Sequence, residues 1–314
     1  MQNKPECYVA HQQFEEVYSG VPTFMGLPRV HDKRDLGKYD VIFSGIPFEG
    51  VCTWGGPSGC ELAPKTIRNA SIRYGGYLPE FDVDVFDHLS AADYGDVATQ
   101  NGDIEGTMAN IEARAKELWD AGVFPISFGG DHSVAYPILK ALAEKHDGKI
   151  GVIHLDAHLD NMDTFGEYKY ARCSPLRRTY ELPGIDPKNI VHVGIRGPRN
   201  NPKGMQAARS VGATVISSFE CKAPGGIESA IQRSLDIAGK GKRSMSRIAA
   251  MHSMWRITRV GRLTRAGCRR MKWPASCVGS PARAYRASIS WKSIRPPTPT
   301  MSPAMCVPGC ACTF

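Results

Sequence analysis

The sequence predicts an α/β fold of three layers, with a mostly parallel central sheet between two layers of helices. Three observations carry this. Short apolar runs alternate with segments of helical spacing between residues 40 and 160, glycine- or proline-rich stretches close several of the runs, and polar clusters stand at two of their ends. Sheets of that kind are covered by helices on both faces and hold their sites at the carboxyl ends of the strands.

Tyr39-Asp-Val-Ile-Phe-Ser44 reads as the first buried strand, followed by a Gly/Pro-rich loop from Gly45 to Gly59. Ile104 to Asp120 has helical spacing. Val123-Phe-Pro-Ile-Ser-Phe128 is a second strand, stopped by Gly129-Gly130. Ser133 is then placed to cap a helix that carries Val134, Ile138, Leu139 and Leu142 on one face. Ile150 to Leu155 is a third strand and Ile190 to Gly194 a fourth. The chain shows no internal repeat.

Two clusters at strand ends carry the chemistry: Gly129-Gly-Asp-His-Ser133 and Asp156-Ala-His-Leu-Asp160. If the second stays extended, Asp156, His158 and Asp160 point to one side, while Ala157 and Leu159 point to the other. His132 would join them from the neighbouring strand end. Two carboxylates and two imidazoles so placed suit a hard or borderline divalent cation, Mn²⁺ among them. Either motif alone has an ordinary reading, as a polar strand end or a turn. Both together, in this order and each after a strand, are far more specific.

These motifs resemble the first two signatures of the ureohydrolase (arginase/agmatinase) family. Other stretches are similar to that family too: Gly45-Ile-Pro-Phe-Glu-Gly50 with Ala63 to Ser71, Asp93-Tyr-Gly-Asp-Val97, Gly194-Ile-Arg-Gly197, and, for the agmatinase-like branch, Ser19-Gly-Val-Pro-Thr-Phe24. The resemblance covers residues 19 to 236. It implies a binuclear Mn²⁺ site with His132, Asp156, His158 and Asp160 as ligands and Asp156 as a bridge. The implied reaction is hydrolysis of a guanidinium group to urea and an amine. Agmatine is the first substrate expected and guanidino acids the second, in a homo-oligomer of three or six chains.

The chain departs from the family pattern twice. Family members place a His-Gly pair in the loop where this chain has Tyr170-Ala-Arg-Cys173, so Arg172 stands in the position of the His. Arginine stays charged and cannot serve as a general acid, but it can orient a carboxylate; Arg172 is the candidate substrate-binding residue, with an ordinary loop cation as the alternative. The family's third motif, Ser-x-Asp-x-Asp-x-x-Asp, supplies two more metal-binding carboxylates and belongs shortly after Asp236. This chain has no acid there.

Composition divides the chain at the same place. All 31 acidic residues lie at or before Asp236, where they meet 24 cations, for a net charge of −7. The last 78 residues hold 15 of the 39 Lys+Arg and five of the ten cysteines, and the overall +8 averages the two pieces. Residues 1–236 therefore read as one domain and 237–314 as a basic, acid-free tail. A nucleic-acid arm and a zinc site at Cys306, Cys310 and Cys312 both come to mind, but the cysteines lack paired spacing and a nearby His.

A shifted reading frame accounts for more. When the third base of each codon is joined to the first two of the next, Ala250 to Arg256 becomes compatible with Asp-Ala-Phe-Asp-Val-Ala, and Ile289 to Pro296 with Asp-Leu-Val-Glu-Val-Asn-Pro-Pro. The shift does not return the first Asp of the third motif, at position 249. On this reading the chain loses the last strands of its sheet. Scattered cysteines, a polar N-terminal stretch and the lack of a bilayer-length apolar run lead us to expect a cytoplasmic protein that binds neither membrane nor nucleic acid.

Overall fold

The structure is a computed structural model and describes residues 20–51, 53, 58–100, 102–239, 245–251 and 257–263. In chain order the elements are β1 (Val41–Gly45), α1 (Ala63–Ser71), β2 (Tyr77–Leu78), β3 (Val83–Asp84), β4 (Ala91–Asp96), α2 (Ile104–Asp120), β5 (Phe124–Phe128) and α3 (Ala135–Lys145). They continue with β6 (Val152–Leu155), α4 (Pro175–Tyr180), β7 (Ile190–Ile195), α5 (Pro202–Ser210), β8 (Thr214–Ser217), α6 (Ser218–Lys222), α7 (Gly226–Ala238), β9 (Met245–Met251) and β10 (Ile257–Leu263). Eight strands form one sheet in the order β4-β1-β5-β10-β9-β6-β7-β8, and helices flank it to make the three layers.

Local chemistry explains the main elements. Helix α2 starts where the Asp103 side chain accepts a hydrogen bond from Gly106 N at 2.8 Å, and its span is the one the spacing predicts. The next cap corrects an expectation. Asp131, not Ser133, accepts from the backbone N–H of Ser133 at 2.9 Å and starts the turn that leads into α3. Aspartate is the better acceptor here because the Ser133 hydroxyl is itself a donor to that carboxylate. Val134, Ile138, Leu139 and Leu142 are all buried, in one cluster with Met108, Ile111 and Trp119 of α2. Each such aliphatic side chain contributes about 1.5–3 kcal/mol by leaving water.

A buried ion pair ties the chain's opening segment to the sheet. Arg68 of α1 grips Asp93 of β4 with two hydrogen bonds of 2.7 and 2.9 Å, and reaches Asp96 at 2.5 Å. Asp93 also accepts from Phe24 N at 2.8 Å. Three of the stretches quoted for the family resemblance therefore meet at the Asp93 carboxylate.

The expectation that the tail gives the sheet no strand is corrected. β9 runs parallel to β6 and β10 antiparallel to both β9 and β5, so these two strands close the sheet between its two halves. The facing edges of β5 and β6 carry N–H and C=O groups that need partners, and backbone pairing asks little of side-chain identity. The remainder of the tail, including Cys306, Cys310 and Cys312, lies outside the described residues.

Candidate metal centre

The two motifs meet at the carboxyl ends of β5 and β6. Gly130 lets them do so: a β-carbon there would lie 1.8 Å from the Phe48 carbonyl oxygen, so only glycine allows the loop after β1 to cross. Asp131 locks that crossing, since its N–H donates to the same carbonyl and its Oδ2 accepts from Gly50 N, both at 2.9 Å.

His132, Asp156, His158 and Asp160 converge. His132 Nδ1 lies 2.6 Å from Asp160 Oδ2 and 3.9 Å from Asp156 Oδ2, and His158 Nδ1 lies 3.6 Å from Asp156 Oδ1. The means of convergence differs from the extended wall expected. β6 stops at Leu155, and the Asp156 carboxylate accepts from His158 N at 2.9 Å, a local bond that bends the chain into a turn. Asp160 has a φ of 44°, in the left-handed region that aspartate tolerates better than most residues. Leu159 is buried.

Arg172 is buried beside this cluster. Its guanidinium donates to Glu49 at 2.7 Å and to Ser58 Oγ at 3.0 Å, and lies 3.9 Å from Asp131. Burial alone would raise the Glu49 pKa, but the Ser58 hydroxyl and the Arg172 guanidinium prevail and hold it well below the usual carboxylate range. The pair fixes the loop after β1 to the segment that follows the second motif.

Sequence reading missed His154 and His192. His154 Nε2 is 3.4 Å from Asp156 Oδ2, and His132, His154 and Asp156 offer ligand atoms within 4.8 Å of one another. His192 pairs with His154 in the parallel register of β6 and β7. The available signal was a single polar residue in each of two apolar strands, Val-Ile-His-Leu and Ile-Val-His-Val. Burial pushes both imidazoles below their ordinary pKa, His192 well below.

Carboxylate oxygens and imidazole nitrogens set this close suit a divalent cation with mixed O and N ligands. On the β9 side the register places Ala249 opposite Ile153 and Met251 opposite Leu155, so the strand beside the motif brings no carboxylate. The donors present fit such an ion but fall two short of the set that the family pattern implies. Among the described residues no helix is long and apolar enough to cross a membrane.

Comparison with known proteins agrees with this geometry. The model of the arginase family matches residues 39–245. Guanidinobutyrase of Pseudomonas aeruginosa is 33% identical over 205 residues, covering 65% of this chain and 63% of that protein. The mitochondrial agmatinase of Gallus gallus is 33% identical over 202 residues, covering 64% and 58%. The matched stretch is thus less than two thirds of these relatives' length. Among solved structures, the proclavaminate amidino hydrolase from Streptomyces clavuligerus superposes with a TM-score of 0.64 at 28% identity, over 74% of each chain. With its matched region spanning well over half of the sequence and both signature motifs gathered at one end of the sheet, this chain belongs to the arginase family.

Proposed function

We propose that the chain carries the scaffold of a Mn²⁺-dependent guanidino hydrolase, with His132, Asp156, His158 and Asp160 holding the metal. The convergence of these four side chains, with donor atoms 2.6–3.9 Å apart, is the observation that carries this reading. Two such ions sharing a water would lower its pKa and supply a hydroxide nucleophile at neutral pH. The chain's own contribution is positional. Asp131 and Gly130 fix the loop after β1 against the strand end, and the Asp156 turn presents His158 and Asp160. Arg172, held by Glu49, braces the loop after β1; this ion pair favours a bracing role over direct contact with substrate.

The substrate class is a guanidino compound, cleaved to urea and an amine. Agmatine is the first to be tried and 4-guanidinobutyrate the second, which the relative named guanidinobutyrase favours. The chain without its third motif holds Mn²⁺ weakly, because changes beyond the ligands alone already cost about 10–100-fold in affinity or activity. It works in a homo-oligomer, a trimer or hexamer, in the cytoplasm, without nucleic-acid or membrane partners.

The test is Mn²⁺ titration and urea release, for this chain and for one whose frame is restored after about residue 242. We expect little urea from the first and Mn²⁺-dependent release from the second. Turnover of agmatine by the first at an ordinary enzyme rate would overturn the frameshift reading. Metal binding by the second without hydrolysis of either compound would overturn the activity.

A further inference from the structure

Behind the metal centre a row of buried polar groups runs from Asp156 into the core. His154 Nδ1 lies 2.8 Å from His192 Nδ1, and His192 Nε2 lies 2.6 Å from the Tyr180 hydroxyl. Tyr180 also receives a hydrogen bond from Asn161 Nδ2 at 3.4 Å, and the same nitrogen donates to the Gly204 carbonyl at 2.9 Å. His154 is 1% exposed, His192 0% and Asn161 2%, so water is in no position to replace a misdirected bond.

The direction of every proton in this row follows from one group that can only accept. The Gly204 carbonyl fixes the Asn161 amide with its nitrogen facing inward, so Tyr180 meets a donor on that side. Tyr180 must therefore spend its own proton on His192 Nε2. A neutral His192 that accepts at Nε2 carries its proton on Nδ1 and gives it to His154 Nδ1. A neutral His154 that accepts at Nδ1 carries its proton on Nε2, the atom 3.4 Å from Asp156 Oδ2. The opposite order would turn the Tyr180 proton away from both of its neighbours, and two Nε2–H rings would set lone pair against lone pair at 2.8 Å.

We infer that Tyr180, His192 and His154 form a directed chain that fixes the tautomer of His154 and presents an N–H to Asp156. His154 is then a positioning residue for that carboxylate and not a metal ligand, although its nitrogen lies close enough to His132 and Asp156 to look like one. The inference concerns proton placement in the protein alone and stands whether or not the chain hydrolyses a guanidino compound.

Nitrogen-15 NMR of the metal-free, histidine-labelled chain reads it directly. We expect His154 as the Nε2–H form and His192 as the Nδ1–H form, each favoured at least about tenfold because the wrong order leaves buried donors and acceptors unmatched. His192 is the discriminating signal, because free histidine prefers the Nε2–H form. Tyr180→Phe removes only the hydroxyl and should move His192 towards Nε2–H. His192 as Nε2–H in the unaltered protein, or His154 as Nδ1–H, would overturn the inference. An unchanged His192 tautomer in a folded Tyr180→Phe protein would do the same.

Discussion

β6 and β9 lie side by side, run in the same direction and share backbone hydrogen bonds from Ile153 and Ala249 to Leu155 and Met251. β6 leads into Asp156-Ala-His-Leu-Asp160; β9 ends at Met251 in a segment with no acid. The pairing asks of a residue only an N–H, a C=O and an allowed extended backbone. A metal pocket asks for particular side chains held to within about 0.5 Å. The same sheet can therefore be whole as a scaffold and incomplete as a site.

The body side of that contrast should be the fragile one. Asp93→Ala leaves the Arg68 guanidinium buried without its two-point partner, and should cost about 3–5 kcal/mol in urea unfolding. A loss below about 1 kcal/mol would show that the ion pair does not hold the first segments together. Leu142→Ala empties a fully buried position on α3 and should cost about 2–5 kcal/mol. Ile248→Ala on β9 is its counterpart, and we expect less than about 1 kcal/mol, because the pairing of β9 with β6 rests on backbone groups that the substitution keeps. If the two were equally costly, β9 would be an evolved part of the core and the contrast would collapse.

Smaller effects sharpen it. Burial and the neighbouring His154 favour neutral His192, so below its ordinary pKa of 6.5 the unfolded chain binds more protons than the folded one. Stability is whole above about pH 6.5 and declines as pH falls, by up to about 1.4 kcal/mol per pH unit from this group. Thermal melts of His192→Gln should show a shallower decline between pH 6.5 and 5 than the parent. Limited trypsin digestion comes last. The final 78 residues hold 15 of the 39 Lys+Arg, and cuts there should precede cuts in α2 or α3. Uniform resistance to residue 314 would mark the tail as an evolved element.

Much of the scaffold was legible because periodicity reports burial. Helix α2 starts and stops where its spacing and Asp103 say, and four strands are apolar runs. The convergence of His132, Asp156, His158 and Asp160 was legible because their motifs sit at strand ends. His154 and His192 were not, because alternation says nothing of which neighbouring strand a polar side chain faces; only the register of β6 and β7 pairs them. The turn at Asp156 was missed for a related reason. A carboxylate that bonds the backbone two residues on overrides the extended geometry assumed for the motif. The place of β9 and β10 was hidden because composition set their residues apart from the rest, while backbone pairing is indifferent to composition.

The crossing at Gly130 bears on how the molecule assembles. The bond from Gly50 N to the Asp131 carboxylate spans 81 residues, and it can form only once two parallel strands have found each other through α1, β4 and α2. Closing so long a loop is entropically costly, and parallel pairing of distant segments is slow. The crossing of the loop after β1 should therefore be among the last parts of the body to form. A methyl group at residue 130 would obstruct that final docking, leaving a collapsed chain whose helices are made and whose site is still open.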